Sequence, residues 1–333
     1  RSAGLAGPTP AGTRAGMPEY EQGRVIRVDA KVCHVDLGDR VVLAAPRGAL
    51  FEKLEGVKNP ITVGDMVRID PDGDPVHVHE VLPRRNHLSR VASSHDPREQ
   101  VLFANVDQLF CFGSVKKPKF SSNRADRILA ACLYHEIPAT LILNKIDLDK
   151  KGLADEIEET YRAAGVKVIQ TSVETGAGVE EVAELMRGKT TALYGASGVG
   201  KSSMLNKIEP SLELKVGHIS RHWAQGRHTT THSSLHPVPA LDAWIVDTPG
   251  IRVFRLHDVN TRELRDLFPE FAPYAERCHF PDCTHTHEPD CAVLDAVEAG
   301  ELSVNRFASY LELHDEADPP PNYIPDVEPD EDP

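Results

Sequence analysis

The chain has 333 residues, 40% hydrophobic and 26% charged, with a formal net charge of −14, a length that predicts two or three domains rather than one. No apolar run approaches the roughly 20 residues needed to cross a bilayer, which excludes a membrane-spanning helix and makes a membrane partner unexpected. The acidic balance argues against nucleic-acid binding through bulk positive charge, and six unevenly placed cysteines exclude a disulfide framework and suit a reducing, cytoplasmic setting.

In chain order, residues 1–18 (RSAGLAGPTPAGTRAGMP) read as a disordered extension; they carry Arg and Ser but no apolar h-region, so no secretory signal is expected. Residues 19–92 are short and β-rich. GRVIRVDAKVCHVDLGDRVVLAAP alternates Val and Ile between turn signals, and VGDMVRID and PVHVHEVL repeat the pattern. About five strands in some 70 residues predict a small β-barrel, with an OB-fold as the first reading and an SH3-like barrel as its rival. Cys33, like Cys111 and Cys132 further on, sits among apolar neighbours and is expected to be a buried, reduced thiol.

Between 93 and 256, apolar runs (VDQLFCF, ATLILN, VKVIQTS, TALYGAS, AWIVDTPG) alternate with helical stretches such as NRADRILAACLYHE and GLADEIEETYRAAG, the pattern of a parallel α/β sheet. The chemistry-bearing residues fall at the ends of those runs. Asn144, Lys145 and Asp147 form NKID after ATLIL. An aspartate there accepts from the N1–H and exocyclic N2–H₂ of guanine, which adenine cannot offer, so the wrong base leaves buried groups unpaired. Ser172 and Val173, after Thr171, resemble the loop whose backbone meets the guanine oxygen.

Gly195, Ala196, Ser197, Gly198, Val199, Gly200, Lys201 and Ser202, with Ser203 beyond, match a P-loop between a strand-like run at 190–194 and a helix-like run at 202–208. The glycines let backbone N–H groups turn toward phosphate oxygens at a helix N-terminus; Lys201 is expected to reach the β- and γ-phosphates, and the Ser202 hydroxyl to ligate Mg²⁺. In GRHTTT (226–231), Thr229 or Thr230 is the candidate switch threonine on Mg²⁺, with Thr230 taken as the ligand; a Ser/Thr-rich surface turn is the plainer alternative. Asp247 and Gly250 bound DTPG, where the aspartate would hold Mg²⁺ through water and the glycine N–H would sense the γ-phosphate. Many GTPases carry glutamine after that glycine to orient the attacking water, and here Ile251 stands in its place. His228 is the nearest polar substitute, with His222 and His232 as rivals, and slow intrinsic turnover accelerated by a partner is expected.

Residues 257–314 are polar and helical around Cys278, Cys283, His285 and Cys291. Three thiolates and an imidazole at this spacing predict one structural, tetrahedral Zn²⁺ site, with His279 and His287 as alternatives for the nitrogen. The surrounding prolines and aspartates read as unable to build a core without such a staple. Residues 315–333, ending DVEPDEDP, are expected to be an acidic disordered tail. A monomer is expected, since nothing resembles a dimerisation helix.

The order of the motifs is unusual. Ordinary GTPases run P-loop, switch threonine, DxxG, NKxD and Ser loop; here NKID and the Ser loop come first. The same sheet can form with the chain opened after DxxG, since circular permutation at exposed sites is tolerated. DTPG then leads directly into the C-terminal region, and loss of the γ-phosphate is expected to move that region.

Permuted motifs, a small barrel and a CxxxxCxHxxxxxC cluster together resemble the ribosome small-subunit-dependent GTPase A (RsgA) family across roughly residues 20–312, through GASGVGKSS, GRHTTTH, DTPG, NKID and the cysteine spacing. The resemblance implies a multidomain protein: an OB-fold, a circularly permuted α/β P-loop GTPase domain and a helical zinc-binding domain. It also implies a GTP hydrolase using GTP/GDP, Mg²⁺ and Zn²⁺, whose partner is the small ribosomal subunit and its rRNA, late in the subunit's maturation. RNHLSRVASSHDPR and KKPKFSSNR are the segments expected to present basic faces. With few aromatics in the barrel, shape and phosphate recognition of folded rRNA is expected over base stacking. The rival readings are a P-loop kinase or ATPase, against which NKID argues, and a GTP-binding RNA- or protein-interaction module with little turnover.

Overall fold

Period-two alternation builds the first domain. In β1 (Glu21–Val28), β2 (Cys33–Asp36), β3 (Val41–Pro46), β4 (Met66–Asp70) and β5 (His77–Val81), inward side chains meet in a core of Val25, Cys33, Val35, Ala44, Ile61, Val67, Ile69 and Val78. The structure, a computed structural model, describes residues 20–29, 32–48, 50, 56–71, 73–93, 96–214, 233–247, 256–257 and 259–317. The strands run β1-β2-β3-β5-β4, and β4 pairs back with β1 to close the barrel. The parallel β3–β5 pairing (Ala45↔His77) decides between the two barrels: it is an OB-fold.

The central sheet has the order β10-β9-β8-β11-β13-β12, built from β8 (Gln108–Ser114), β9 (Ala139–Asn144), β10 (Lys167–Gln170), β11 (Thr190–Tyr194), β12 (Ser234–Val238) and β13 (Ala243–Asp247). All but β12 run parallel. Every residue of β8 and β11 is buried, because both faces are covered. On one face Leu109, Cys111, Leu141, Leu143, Ala192 and Val246 pack under α1 (Ser122–Tyr134) and α2 (Leu153–Ala163). On the other, Phe110, Phe112, Ile142, Leu193 and Ile245 pack under α3 (Val179–Met186) and α4 (Lys201–Ile208). Ser121 caps α1 by accepting from the Arg124 amide. Cys33, Cys111 and Cys132 are buried free thiols, each pushed up by burial.

Strand β12 was not expected. It carries Pro237, pairs with β13 over five residues, and touches β1 of the barrel at Ser234↔Arg27, which joins barrel and central sheet into one 11-stranded sheet. A boundary also differs. The expected division at 92/93 cuts β6 (His87–Ser93), which pairs with β7 (Asp96–Ala104) in a separate two-stranded sheet. Leu88, Leu102 and Phe103 of that hairpin lie in the core of the α/β domain, so the hairpin packs there and the barrel closes at Val81.

The C-terminal region has α5 (Thr261–Asp266), α6 (Ala272–Ala275), α7 (Ala292–Glu298) and α8 (Val304–Ala317). Its core gathers Phe268, Phe271, Phe307 and Tyr310, packed edge-to-face and stacked, beside Cys283 and Cys291 of the cysteine cluster. Helix α8 runs to Ala317, past the expected start of the tail at 315. The extension before 20, the switch segment with His222, His228, Thr229, Thr230 and His232, residues 248–251 with Gly250 and Ile251, and the tail beyond 317 lie outside the described residues.

Candidate nucleotide and metal sites

Four strands deliver the candidate residues to one place, the carboxyl ends of the parallel sheet, where α/β folds bind ligands. β9 ends at Asn144, β10 leads into Thr171 and Ser172, β11 leads into Gly195, and β13 ends at Asp247, which lies opposite Leu193. The permuted chain order leaves this convergence intact.

Local geometry explains the residue types. Gly195 and Gly200 have φ of 148° and 105°, and a Cβ there would fall 2.5 Å from the Phe112 carbonyl oxygen and 2.2 Å from Asn144 Nδ2. Only glycine fits either position. Asn144, 1% exposed, is the hub: its Nδ2 donates to the Val199 carbonyl at 2.9 Å, and its Oδ1 accepts from Thr171 Oγ1 at 3.2 Å. The P-loop is thereby tied to NKID and to the Ser loop. Ser172 Oγ donates to Asp147 Oδ1 at 2.6 Å and accepts from the Thr175 amide at 3.2 Å, which leaves the exposed carboxylate of Asp147 oriented from below. Val173 packs at the edge of the second core.

Lys145 donates to the Gly198 carbonyl at 2.6 Å and to the Lys117 carbonyl. Its pKa is lowered by burial, with the Lys117 charge adding to the effect and Asp147 opposing it. Lys201 opens α4 and donates to the carbonyls of Gly195 (2.5 Å) and Ala196 (3.1 Å). Burial lowers its pKa, and the charge of Asp247 works the other way. An ammonium held by its own loop's carbonyls is suited to an anionic ligand, and the glycine cradle is a shape that phosphate fills. Ser202 is buried at the start of α4, with Ser203 half-buried beside it, while Ser197 and Gly198 form the exposed crown of the loop. Of the expected machinery, NKID, the Ser loop, the P-loop and Asp247 come together; His228, Thr229, Thr230 and Gly250 fall outside the described residues.

The second site is the cysteine cluster. One ligand atom from each of Cys278, Cys283, His285 and Cys291 lies within 4.8 Å of the others. His285 turns its Nδ1 to Cys278 Sγ (3.6 Å) and Cys291 Sγ (3.4 Å), and its Nε2 is buried. The backbone that permits this is left-handed at His285, with φ 59°. Burial pushes the Cys283 and Cys291 thiols up, and at Cys283 the sulfurs of Cys291 and Cys278 add to it. A thiophilic cation would offset that penalty, and three sulfurs with one imidazole are a donor set zinc accepts. Glu288 braces the loop, accepting from the Thr284 amide (2.7 Å) and hydroxyl (2.6 Å).

Sequence reasoning missed what fastens this region to the α/β domain. Arg306, 4% exposed, donates to Asp126 Oδ1 of α1 at 2.8 Å and to both oxygens of Glu270 at 2.6 and 3.0 Å. Tyr161 of α2 donates to the same Asp126 oxygen at 2.6 Å. The one legible signal was an aspartate, Asp126, amid the apolar face of an amphipathic helix. As for the basic segments, Arg85 and Arg98 are paired with Asp107 and Asp96, while Lys116, Lys117 and Lys119 are exposed.

A family profile described as RsgA GTPase matches residues 81–257. The small ribosomal subunit biogenesis GTPase RsgA of Porphyromonas gingivalis is 37% identical over 271 residues, covering 78% of this chain and 86% of that protein. Its namesake from Chlorobaculum tepidum is 36% identical over 312 residues, covering 90% and 99%. Among solved structures, YjeQ from Thermotoga maritima superposes with a TM-score of 0.70 at 31% identity, covering 91% of this chain and all of that one. YloQ, described as a circularly permuted GTPase, gives 0.64 at 27% identity over 94% of this chain and all of its own.

Proposed function

Since the chain belongs to the RsgA GTPase family, we propose that it binds the small ribosomal subunit, assists its late maturation, and hydrolyses GTP to GDP and phosphate under stimulation by that subunit. The observation that carries this reading is the convergence of Asn144, Ser172, the P-loop and Asp247 at one sheet end, in permuted order, within a chain that shares nearly its full length with proteins named for small-subunit biogenesis.

The roles rest on the motifs, and for Asn144, Asp147, Ser172, the P-loop and Asp247 also on their convergence at the sheet end. Asp147, oriented by Ser172, reads the purine edge; the P-loop amides and Lys201 hold the β- and γ-phosphates. Ser202, Thr230 and Asp247 are the residues that would hold Mg²⁺. Bound Mg²⁺ would neutralise developing phosphate charge. Gly250 senses the γ-phosphate, and His228 orients the attacking water in the absence of a glutamine at Ile251. Cys278, Cys283, His285 and Cys291 hold a structural Zn²⁺ that stiffens the loop. Among the described residues no helix is long and apolar enough to cross a membrane, and a cytoplasmic monomer contacting rRNA fits the ribosomal role.

The test is GTP hydrolysis by the purified protein, alone and with isolated small subunits, with ATP as control. Stimulation by subunits with GTP only is expected. GTP turnover indifferent to subunits would keep the enzyme and remove the assigned partner.

A further inference from the structure

Helix α8 ends at Ala317 against the first two turns of α1: Asn123 donates to Glu312, and Arg127 donates to Glu316. Arg127 stands only about 8 Å along the helix axis from Ser122, where α1 begins. The chain enters α1 there through Lys116, Lys117, Pro118 and Lys119, so the end of α8 lies beside that turn. All three lysines are exposed, and no carboxylate among the described residues pairs with any of them. Exposed arginines elsewhere do have acids: Arg68 has Glu80, Arg85 has Asp107, Arg98 has Asp96 and Arg187 has Glu184.

Past Ala317 the sequence supplies anions. Residues 318–333 hold six carboxylates (Asp318, Asp326, Glu328, Asp330, Glu331 and Asp332) and no Lys, Arg or His. The stretch between Ala317 and Asp326 spans up to about 30 Å when extended, more than the two helix turns that separate the end of α8 from the lysines. We propose that residues 318–333 fold back over the turn at 116–119 and cover its lysines with their carboxylates, an autoinhibitory contact that RNA phosphates must displace. The RNA side of this statement rests on the ribosomal reading above; the contact between tail and turn does not.

Exposed ion pairs are individually weak and would not hold a separate peptide. Attachment to α8 makes the encounter intramolecular and raises the effective concentration of the acids at the turn. The contact is conditional for the same reason. Salt screens it, and a ligand with many contiguous phosphates replaces it where an isolated anion does not. An acidic chain can in this way keep a phosphate-binding surface and reserve it for a polyanion.

The experiment uses the full chain throughout. Zero-length carbodiimide cross-linking of the wild type, read by peptide mass spectrometry, should join Lys116 or Lys119 to carboxylates of residues 318–333 within one chain. Cross-links from those carboxylates to other lysines only, or only between isotope-labelled and unlabelled copies, overturn the proposal. A double-mutant cycle then measures the coupling, with fluorescence anisotropy of an oligouridine of about 20 nucleotides at about 50 mM and about 300 mM salt. One arm carries Asp318→Asn, Asp326→Asn, Glu328→Gln, Asp330→Asn, Glu331→Gln and Asp332→Asn; the other carries Lys116→Gln and Lys119→Gln. Neutralising the tail should tighten binding about fivefold at the lower salt and less than about twofold at the higher. The lysine pair should cost less than about twofold beside the acidic tail and about fivefold beside the neutral one, where the lysines are open to phosphate. An equal cost beside both tails makes the tail a diffuse repulsion of RNA and overturns the docking. Coupled arms, with small subunits that neither bind nor stimulate the chain, would leave the tail contact standing and remove the ribosomal partner.

Discussion

Replacing Arg306 by methionine tests how the C-terminal region is held. The guanidinium is 4% exposed, Asp126 is fully buried and the Glu270 side chain is 8% exposed, so Arg306→Met leaves two carboxylates in the interior with their cation gone. Burial already pushes the Asp126 carboxyl up, with Arg306 opposing it. Burial likewise works against the Arg306 charge, but the bonds to Glu270 and Asp126 outweigh it and its pKa stands above the ordinary value. The guanidinium also lies over the Phe268 ring at 4.8 Å and the Tyr161 ring at 5.4 Å, contacts that methionine only partly replaces. Removing one partner of a buried ion pair costs about 3–5 kcal/mol. The rest of the α1–α8 contact, where Asn123, Arg127 and Ala130 continue the same helical stripe toward α8 and the C-terminal core, should remain. Hydrogen exchange followed by mass spectrometry should then show α8 amides exchanging at least about a hundredfold faster, since each 1.4 kcal/mol is a factor of ten. Adding Asp126→Asn and Glu270→Gln to Arg306→Met should restore part of the protection. Exchange of α8 within about threefold of wild type would refute the reasoning and make this network ornamental to docking. The result bears on function. A γ-phosphate-driven displacement of the C-terminal region must either break this network or carry α1 with it.

Three further outcomes are expected. Asp147→Asn replaces an acceptor with a donor at the purine edge, so GDP affinity should fall at least about a hundredfold while XDP, which offers a carbonyl there, gains; competition binding measures both. Elemental analysis of the wild-type protein is expected to give about one zinc per chain; Cys291→Ser should remove it and lower the melting temperature, and retained zinc with an unchanged melt would count against the cluster as its site. Burial lowers His135 to about 4, aided by His87, and His236 to about 3, from the ordinary 6.5. Their folded-state pKa values lie below the unfolded one, so their contribution is complete above about pH 6.5 and is lost as pH falls from there toward 4. Glu99, held down to about 2 by its bond to His87, stays ionised across that window. The melting temperature should therefore drop between pH 7 and 4.5, less steeply in His135→Gln; equal slopes would exclude His135 as a contributor.

What was legible in the sequence divides along a physical line. Phosphate and guanine recognition demand particular residue types at fixed spacing, since only glycine tolerates the backbone at Gly195 and Gly200, so the site could be read before the fold. Strands β8, β9, β11 and β13 were equally plain, because a parallel strand covered on both faces is a continuous apolar run. Strand β12 was not, since SLHPV holds a proline and a histidine and is a strand only through its partners. The choice of OB-fold over SH3-like barrel turned on whether β3 meets β5, a long-range pairing with no local trace. The hairpin β6–β7 has the same alternation as the barrel strands before it, so only tertiary packing assigns it to the α/β core.

The same line explains why the fastening elements were invisible. Asp126 and Arg306 are 180 residues apart, and although Asp126 stands out amid the apolar face of its helix, nothing local names its partner. Lys117 belongs to no motif, and its carbonyl meets Lys145 only because the fold brings two strand ends together. Residues that touch a ligand are constrained by the ligand's chemistry, which a sequence displays. Residues that hold those residues still are constrained by where the chain happens to bring them, and in a permuted chain that follows from the sheet rather than from the order of the motifs.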